Sequence, residues 1–265
     1  MSIWLVYGKI FKDRTFDRNG VWMLNPMLDS WGSMLEVWTM TQRLLPTIVR
    51  WDKYLRGPGI KKPRTQDSLQ HSYAATLLAV MMHEKLRNHC DLDIELLLLA
   101  VLVHDTGEAE KGSDTLYIDK TPQDDVLEYE GFLERFKTLE PKIFKVFQRA
   151  FLLQFADKPA VWALLPDDEQ MIASWLRTHK PLEILAFDAL ERWDYIMYPL
   201  EHFKNTGDPV ILLQVLRHQM SHMGRLVDEL PGFGDEIWTH EVHAWAERFV
   251  AQYEGRYTET AKKKK

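Results

Sequence analysis

The chain has 265 residues and a mass of 31.2 kDa, with 46% hydrophobic and 27% charged residues, a balance that excludes collagen-like, rod-like and disordered classes. A net charge of -6 and a pI near 5.9 exclude a sequence-independent grip on nucleic acid, which draws on clustered Lys and Arg. The single Cys90 excludes an intramolecular disulfide and a thiolate zinc cage, which favours a reducing, cytoplasmic setting.

A globule of this mass buries about 70 to 75% of its unfolded surface, so one core is sufficient. Ile3 to Phe11 is rich in β-formers, and Asp17-Arg18-Asn19-Gly20 is a turn signal ahead of Val21-Trp22-Met23-Leu24, which predicts a short β-hairpin or irregular arm over 1–31. Met1-Ser2-Ile3-Trp4 has no basic segment leading into an apolar one, so no secretory signal is expected. From Gly32 onward the periodicity is helical, with segments near 33–50, 67–89, 93–106, 122–138, 142–156, 167–178, 181–204, 209–228 and 234–253. Breakers separate them at Gly57-Pro58-Gly59, Gly107, Gly112, Pro122, Pro141, Pro166, Pro181, Gly207 and Pro231. The expected fold is all-α: one domain over 32–258, followed by a disordered basic tail over 259–265. The apolar run Leu96 to Leu102 is far short of the roughly 20 residues that span a bilayer, so no membrane segment is expected.

Chemistry concentrates in Leu96-Leu97-Leu98-Leu99-Ala100-Val101-Leu102-Val103-His104-Asp105-Thr106-Gly107-Glu108. An apolar helix, capped at its start by Asp91 or Asp93, delivers His104, Asp105 and Glu108 to its C-terminal end. An unpaired charge beside such a run is costly, and the negative end of the helix dipole favours a cation. Upstream, His71 shares a helical face with Ala75, Leu78 and Met82; downstream, Asp188 lies one turn after Ile184 and Leu185. Two imidazoles and two carboxylates form a mixed N and O set suited to a hard or borderline divalent cation. Each residue also has a purely structural reading. His71 would be a core or cap histidine, Asp188 would pair with Arg192 at i+4, Glu108 would be a solvated helix-end acid, and Arg50-Trp51 a packed helix terminus.

The order His, His-Asp, Asp on helices resembles the HD-domain metal-dependent phosphohydrolases. Arg50-Trp51 ahead of the first histidine, and Glu108 in the spacing His-Asp-x-x-Glu, extend the likeness toward the 5'-deoxynucleotidase-like branch over roughly 36–198. The resemblance implies an HD-domain helical bundle in which His71, His104, Asp105 and Asp188 hold one divalent transition metal (Mn, Co, Fe, Zn or Ni). It implies that Glu108 positions or activates the attacking water, Arg50 holds the 5'-phosphate, Trp51 packs near the sugar, and Asp114 and Lys111 complete the substrate site. It also implies a homodimer. The chain departs from the branch in reading Gly112-Ser113-Asp114 for a Gly-Asp pair, in carrying Leu185 three residues before Asp188 where the branch has lysine, and in a longer stretch between Trp51 and His71. With His179 alone between Asp105 and Asp188, one metal is expected rather than two.

The expected function is removal of the 5'-phosphate from a (deoxy)nucleoside monophosphate through a metal-activated water. A deoxynucleoside triphosphate triphosphohydrolase or a signalling-nucleotide hydrolase is the alternative on the same metal site, disfavoured because Lys111 and Lys120 are few cations for three phosphates. A metal-bearing nucleotide-binding or scaffold protein is the non-enzymatic alternative. The expected partner is thus a small-molecule nucleotide. A second histidine group, His218, His222, His240 and His243, reads as surface or interface, since Gln219 stands where a His-Glu-x-x-His metalloprotease needs glutamate.

Overall fold

The computed structural model describes the backbone over residues 25–51, 66–108 and 120–262, and side chains over most of that range. Eleven α-helices and one 3-10 turn account for these residues, and no strand occurs among them. The fold class is all-α, as the sequence predicts. The expected hairpin lies almost wholly outside the described residues, as do Lys111 and Asp114.

Helix α1 (Asn25–Arg43) begins inside the segment read as an arm and ends earlier than expected. Pro26 occupies its first turn, where the missing N–H costs nothing, while Pro46 cannot continue it. The chain passes instead through the 3-10 turn Leu45–Thr47 into an extended stretch. There Arg50 N donates to Gln66 O at 2.9 Å and Ser68 N donates to Ile48 O at 3.1 Å, an isolated antiparallel contact that sets Arg50 beside the start of the next helix.

Helices α2 (Ser68–Leu86), α3 (Ile94–Val103), α4 (Pro122–Phe136), α5 (Pro141–Leu153), α6 (Pro159–Trp162), α7 (Asp167–His179) and α8 (Pro181–Thr206) follow. Their starts carry the chemistry the sequence advertises. Asp67 and Asp93 accept from Gln70 N and Leu96 N, and Thr121 with Asp124 forms a reciprocal capping box. Of the two acids offered as caps for α3, Asp93 is the one used. Helix α3 is apolar on every side because it is the central rod, packed against α2, α5 and α8. Lys180 Nζ at 2.7 Å from Asp93, and Asp93 N donating to Glu183 at 2.8 Å, tie the start of α3 to that of α8.

Helix α8 continues through Pro199 and stops at Gly207, whose φ of 71° is left-handed. Helices α9 (Val210–Glu229), α10 (Phe233–Glu236) and α11 (His240–Lys262) close the bundle, α9 packing on α8 and α11 on α9. The segment expected near 234–253 is therefore split by a break at residues 237–239, and the last helix runs to Lys262, into the stretch expected to be disordered. None of the described helices is long and apolar enough to cross a membrane.

Candidate metal centre

Three side chains from two elements meet at the heart of the bundle. His71, from the first turn of α2, and His104 and Asp105, just past the end of α3, are buried, and their donor atoms all lie within 4.8 Å of one another. His71 Nε2 stands 3.1 Å from His104 Nε2, while the Asp105 carboxylate bridges the pair, Oδ1 at 3.1 Å from His104 Nε2 and Oδ2 at 3.4 Å from His71 Nε2.

The outer nitrogens explain the arrangement. His71 Nδ1 donates to Asp194 Oδ2 at 2.7 Å, and His104 Nδ1 donates to the Val101 carbonyl at 2.7 Å. Each imidazole spends its proton outward and presents the Nε2 lone pair inward. Two lone pairs and a carboxylate facing one another in a buried space repel, and a cation among them removes the repulsion. Glu191 Oε1 adds to the concentration of acceptors. This atom is buried without a hydrogen-bond partner, 3.3 Å from His104 Nε2 and 3.9 Å from His71 Nε2. The residues fit a divalent metal.

Electrostatics point the same way. Burial alone would raise the Asp105 carboxyl, but the charges of His104, Arg50 and His71 hold it well below the usual carboxylate range. Burial and the neighbouring Arg50 charge push His71 down, yet the Asp194 carboxylate, by charge and hydrogen bond, and Asp105 carry it above its ordinary value. The centre is a sink for positive charge. Asp194, as the partner that fixes the orientation of His71, has a predictable role: Asp194→Ala weakens metal binding about 10- to 100-fold, read by chelator competition.

The other expected site residues fall into two groups. Arg50, buried, donates from Nη1 to Asp105 Oδ2 at 2.6 Å and lines the cavity that opens onto the centre. Glu108 lines the same cavity, its Oε2 accepting from Ser68 Oγ at 2.9 Å. Helix α3 ends before His104, so Glu108 reaches its place through the turn at residues 104–107 rather than along a helical face. Asp188 lines the cavity but is outside the cluster of metal-ligand candidates, and Trp51 is outside the lining. Each oxygen of Asp188 meets an arginine, Oδ1 with Arg192 Nη2 at 2.8 Å and Oδ2 with Arg225 Nη2 at 2.7 Å, so the i+4 pairing weighed in the sequence is realised. Trp51 is absent from the cavity lining. It adopts φ 71°, stacks on Tyr198 at 4.7 Å, packs against Tyr195 and donates from Nε1 to Gln66 Oε1 at 2.8 Å. The phenyl and phenol rings lining the cavity are those of Phe187 and Tyr195.

The cavity, of about 350 Å³, is also lined by Lys120, Lys158, Arg192 and Arg225. Sequence reasoning missed the last three, together with Ser68, Glu191 and Asp194. The carboxylates had a readable signal in the three-residue ladder Asp188, Glu191, Asp194 along α8. His218, His222, His240 and His243 form no second centre, because the one cluster of potential metal ligands among the described residues is that of His71, His104 and Asp105. His243 Nδ1 instead accepts from Trp238 Nε1 at 3.0 Å.

Comparison with known proteins agrees with this geometry. The family model described as the HD domain matches residues 68–192, a span that opens at Ser68, takes in all three metal-ligand candidates and closes on α8. No curated protein and no solved structure matches the chain. Residues 68–192 are thus similar to the HD domain, a kind of domain typical of metal-dependent hydrolases.

Proposed function

We propose that this protein removes the 5'-phosphate from (deoxy)nucleoside monophosphates, using a divalent metal held by His71, His104 and Asp105. The observation that carries the substrate's charge is the balance of the cavity lining. Arg50, Lys120, Lys158, Arg192 and Arg225 face Asp105, Glu108, Asp157, Asp188 and Glu191, five cations against five carboxylates. A divalent ion added to a lining of both signs supplies the positive charge that complements a phosphate monoester dianion. A volume of about 350 Å³ is near the lower end for small-molecule sites, which span roughly 300 to 1,000 Å³.

The three cations beyond those the sequence suggested do not make a triphosphate site, because each is already matched by a carboxylate. Lys158 lies 3.1 Å from Asp125, and Arg192 and Arg225 share Asp188. This matching favours the monoester reading. A bound Mn, Fe, Co, Ni or Zn ion supplies Lewis acidity to a phosphoryl oxygen and lowers the proton affinity of water.

The chain's own groups do the rest. Arg50 sets a permanent charge where phosphoryl oxygens gather and, through its 2.6 Å bond, holds Asp105 in orientation. Ser68 fixes the carboxylate of Glu108, which accepts the proton of the attacking water as general base. Phe187 and Ile184 give the cavity apolar wall, which excludes bulk water and strengthens each of these interactions.

The test is phosphate release from ribo- and deoxynucleoside mono-, di- and triphosphates, run on metal-stripped protein with each cation restored. Monophosphate turnover that requires a cation is expected. Tripolyphosphate release from triphosphates alone overturns the monoester reading, and metal binding without any turnover overturns the enzyme. Glu108→Gln is expected to lower turnover about 10²- to 10⁴-fold with metal content and thermal midpoint unchanged.

A further inference from the structure

We infer that Glu191, rather than Asp188, is the carboxylate by which α8 completes the metal's ligand set, and that Asp188 instead holds Arg192 and Arg225 on the cavity wall. The inference rests on the metal-dependent reading proposed above. It begins from what each carboxylate oxygen already does. Both oxygens of Asp188 are taken by guanidinium groups, at 2.8 and 2.7 Å, and moving either to a metal would break a charge-assisted bond to an arginine. Asp194 is committed to the outer face of His71, at 2.7 Å from Nδ1. Glu191 Oε1 alone of the three sits at the inner face of the imidazoles, 3.3 Å from His104 Nε2 and 3.9 Å from His71 Nε2, buried and without a hydrogen-bond partner.

Helix geometry makes the division natural. Residues three apart advance about 4.5 Å and turn about 60° short of a full circle, so the three acids descend one side of α8 in a slow spiral. The first meets the arginines, the second the metal-facing nitrogens, the third the outer nitrogen of His71. Glutamate also has the extra methylene needed to reach inward from the middle position.

Charge supplies a second argument. Asp105 shares its negative charge with Arg50, and two neutral imidazoles contribute none. A divalent ion bound by these alone keeps nearly its whole charge in a buried place, which is costly. The Glu191 carboxylate offsets part of it and leaves enough to attract an anionic substrate. Asp188, freed from ligation, acts as a positioning residue that prevents Arg192 and Arg225 from swinging out of the cavity wall.

The test measures Mn²⁺ binding to the metal-stripped full-length protein by chelator competition, with thermal midpoints recorded with and without the ion. Glu191→Gln, equal in shape, is expected to weaken Mn²⁺ about 100-fold or more and to shrink the metal-induced rise in midpoint, while its metal-free midpoint matches wild type. Glu191→Asp, one methylene shorter, is expected to recover part of the affinity. Asp188→Asn is expected to bind Mn²⁺ as wild type does and to raise KM for the monoester. Loss of Mn²⁺ in Asp188→Asn with retention in Glu191→Gln overturns the assignment and leaves the metal reading intact. A wild-type protein that binds no Mn²⁺, Zn²⁺ or Co²⁺ overturns the metal reading, and this inference with it.

Discussion

Asp105→Asn is expected to abolish both metal binding and phosphate release, the latter by about 10³-fold or more, while leaving the protein folded. Asp105 meets Arg50 and both metal-facing imidazoles. One oxygen accepts from Arg50 at 2.6 Å and stands 3.4 Å from His71 Nε2, and the other stands 3.1 Å from His104 Nε2. An amide keeps the shape but carries no charge and offers one acceptor oxygen in place of two. The Arg50 guanidinium then lies buried beside two imidazole lone pairs with its Asp105 carboxylate gone, and a divalent ion added there would lose the charged ligand of the His-Asp pair. Metal content by elemental analysis and phosphate release by direct assay both read the change. A variant that keeps one equivalent of metal and wild-type turnover would mean that His71 and His104 bind the ion without Asp105, contrary to the geometry. The same substitution separates catalysis from scaffold: a purely structural metal predicts that loss of the ion lowers the thermal midpoint and that no activity exists to lose.

How much of this was legible in the sequence follows from which constraints are local. Asp67, Asp93 and Thr121 announce helix starts because a cap acts on the next three residues, and the predicted starts of α2, α3 and α4 agree with the observed ones to within a residue. His104 and Asp105 were legible because eight apolar residues precede them, so the burial of the helix carries its end into the core. The choice among Asp188, Glu191 and Asp194 was not. Those acids lie on one helix at three-residue spacing, and what sorts them is Arg225, 37 residues on, and His71, 123 residues back. Trp51 illustrates the same limit. Its left-handed φ and its stack on Tyr198 depend on a partner from α8, so the sequence suggested an aromatic wall for the substrate while Tyr195 lines the cavity. The early start of α1 was hidden for a different reason: the β-forming residues and turn signal over 3–24 read as an arm extending to residue 31, yet a proline in the first helical turn loses nothing and a glycine costs only about 1 kcal/mol.

Gly107→Ala is expected to destabilise the fold by about 3 kcal/mol or more, a fall in thermal midpoint of roughly 6 to 12 °C for a chain of this size. The cause is proximity, not backbone conformation. A Cβ on residue 107 would lie 1.9 Å from the Glu128 carbonyl oxygen, 2.6 Å from its carbon and 2.9 Å from its Cα, and these are backbone atoms that no side-chain rotation can move aside. Helix α4 has little freedom to retreat. Its N-terminus is fixed by the Thr121–Asp124 capping box, Glu128 is held by Lys120 at 2.6 Å, and Phe132 is stacked on Phe136 and Phe151, each at 4.5 Å. The alternative is for the turn at residues 104–107 to recoil, and that turn carries His104, Asp105 and the approach to Glu108. Displacing these groups by about 1 Å costs roughly 10²-fold in rate even where the protein survives. Stability and turnover are therefore expected to fall together in Gly107→Ala, whereas Glu108→Gln lowers turnover alone. Thermal and urea denaturation of the two variants beside wild type reads the difference. A Gly107→Ala protein within about 1 kcal/mol of wild type would mean that α4 does not pack its backbone on the His-Asp turn, and the close approach that sets the position of Glu108 would be withdrawn.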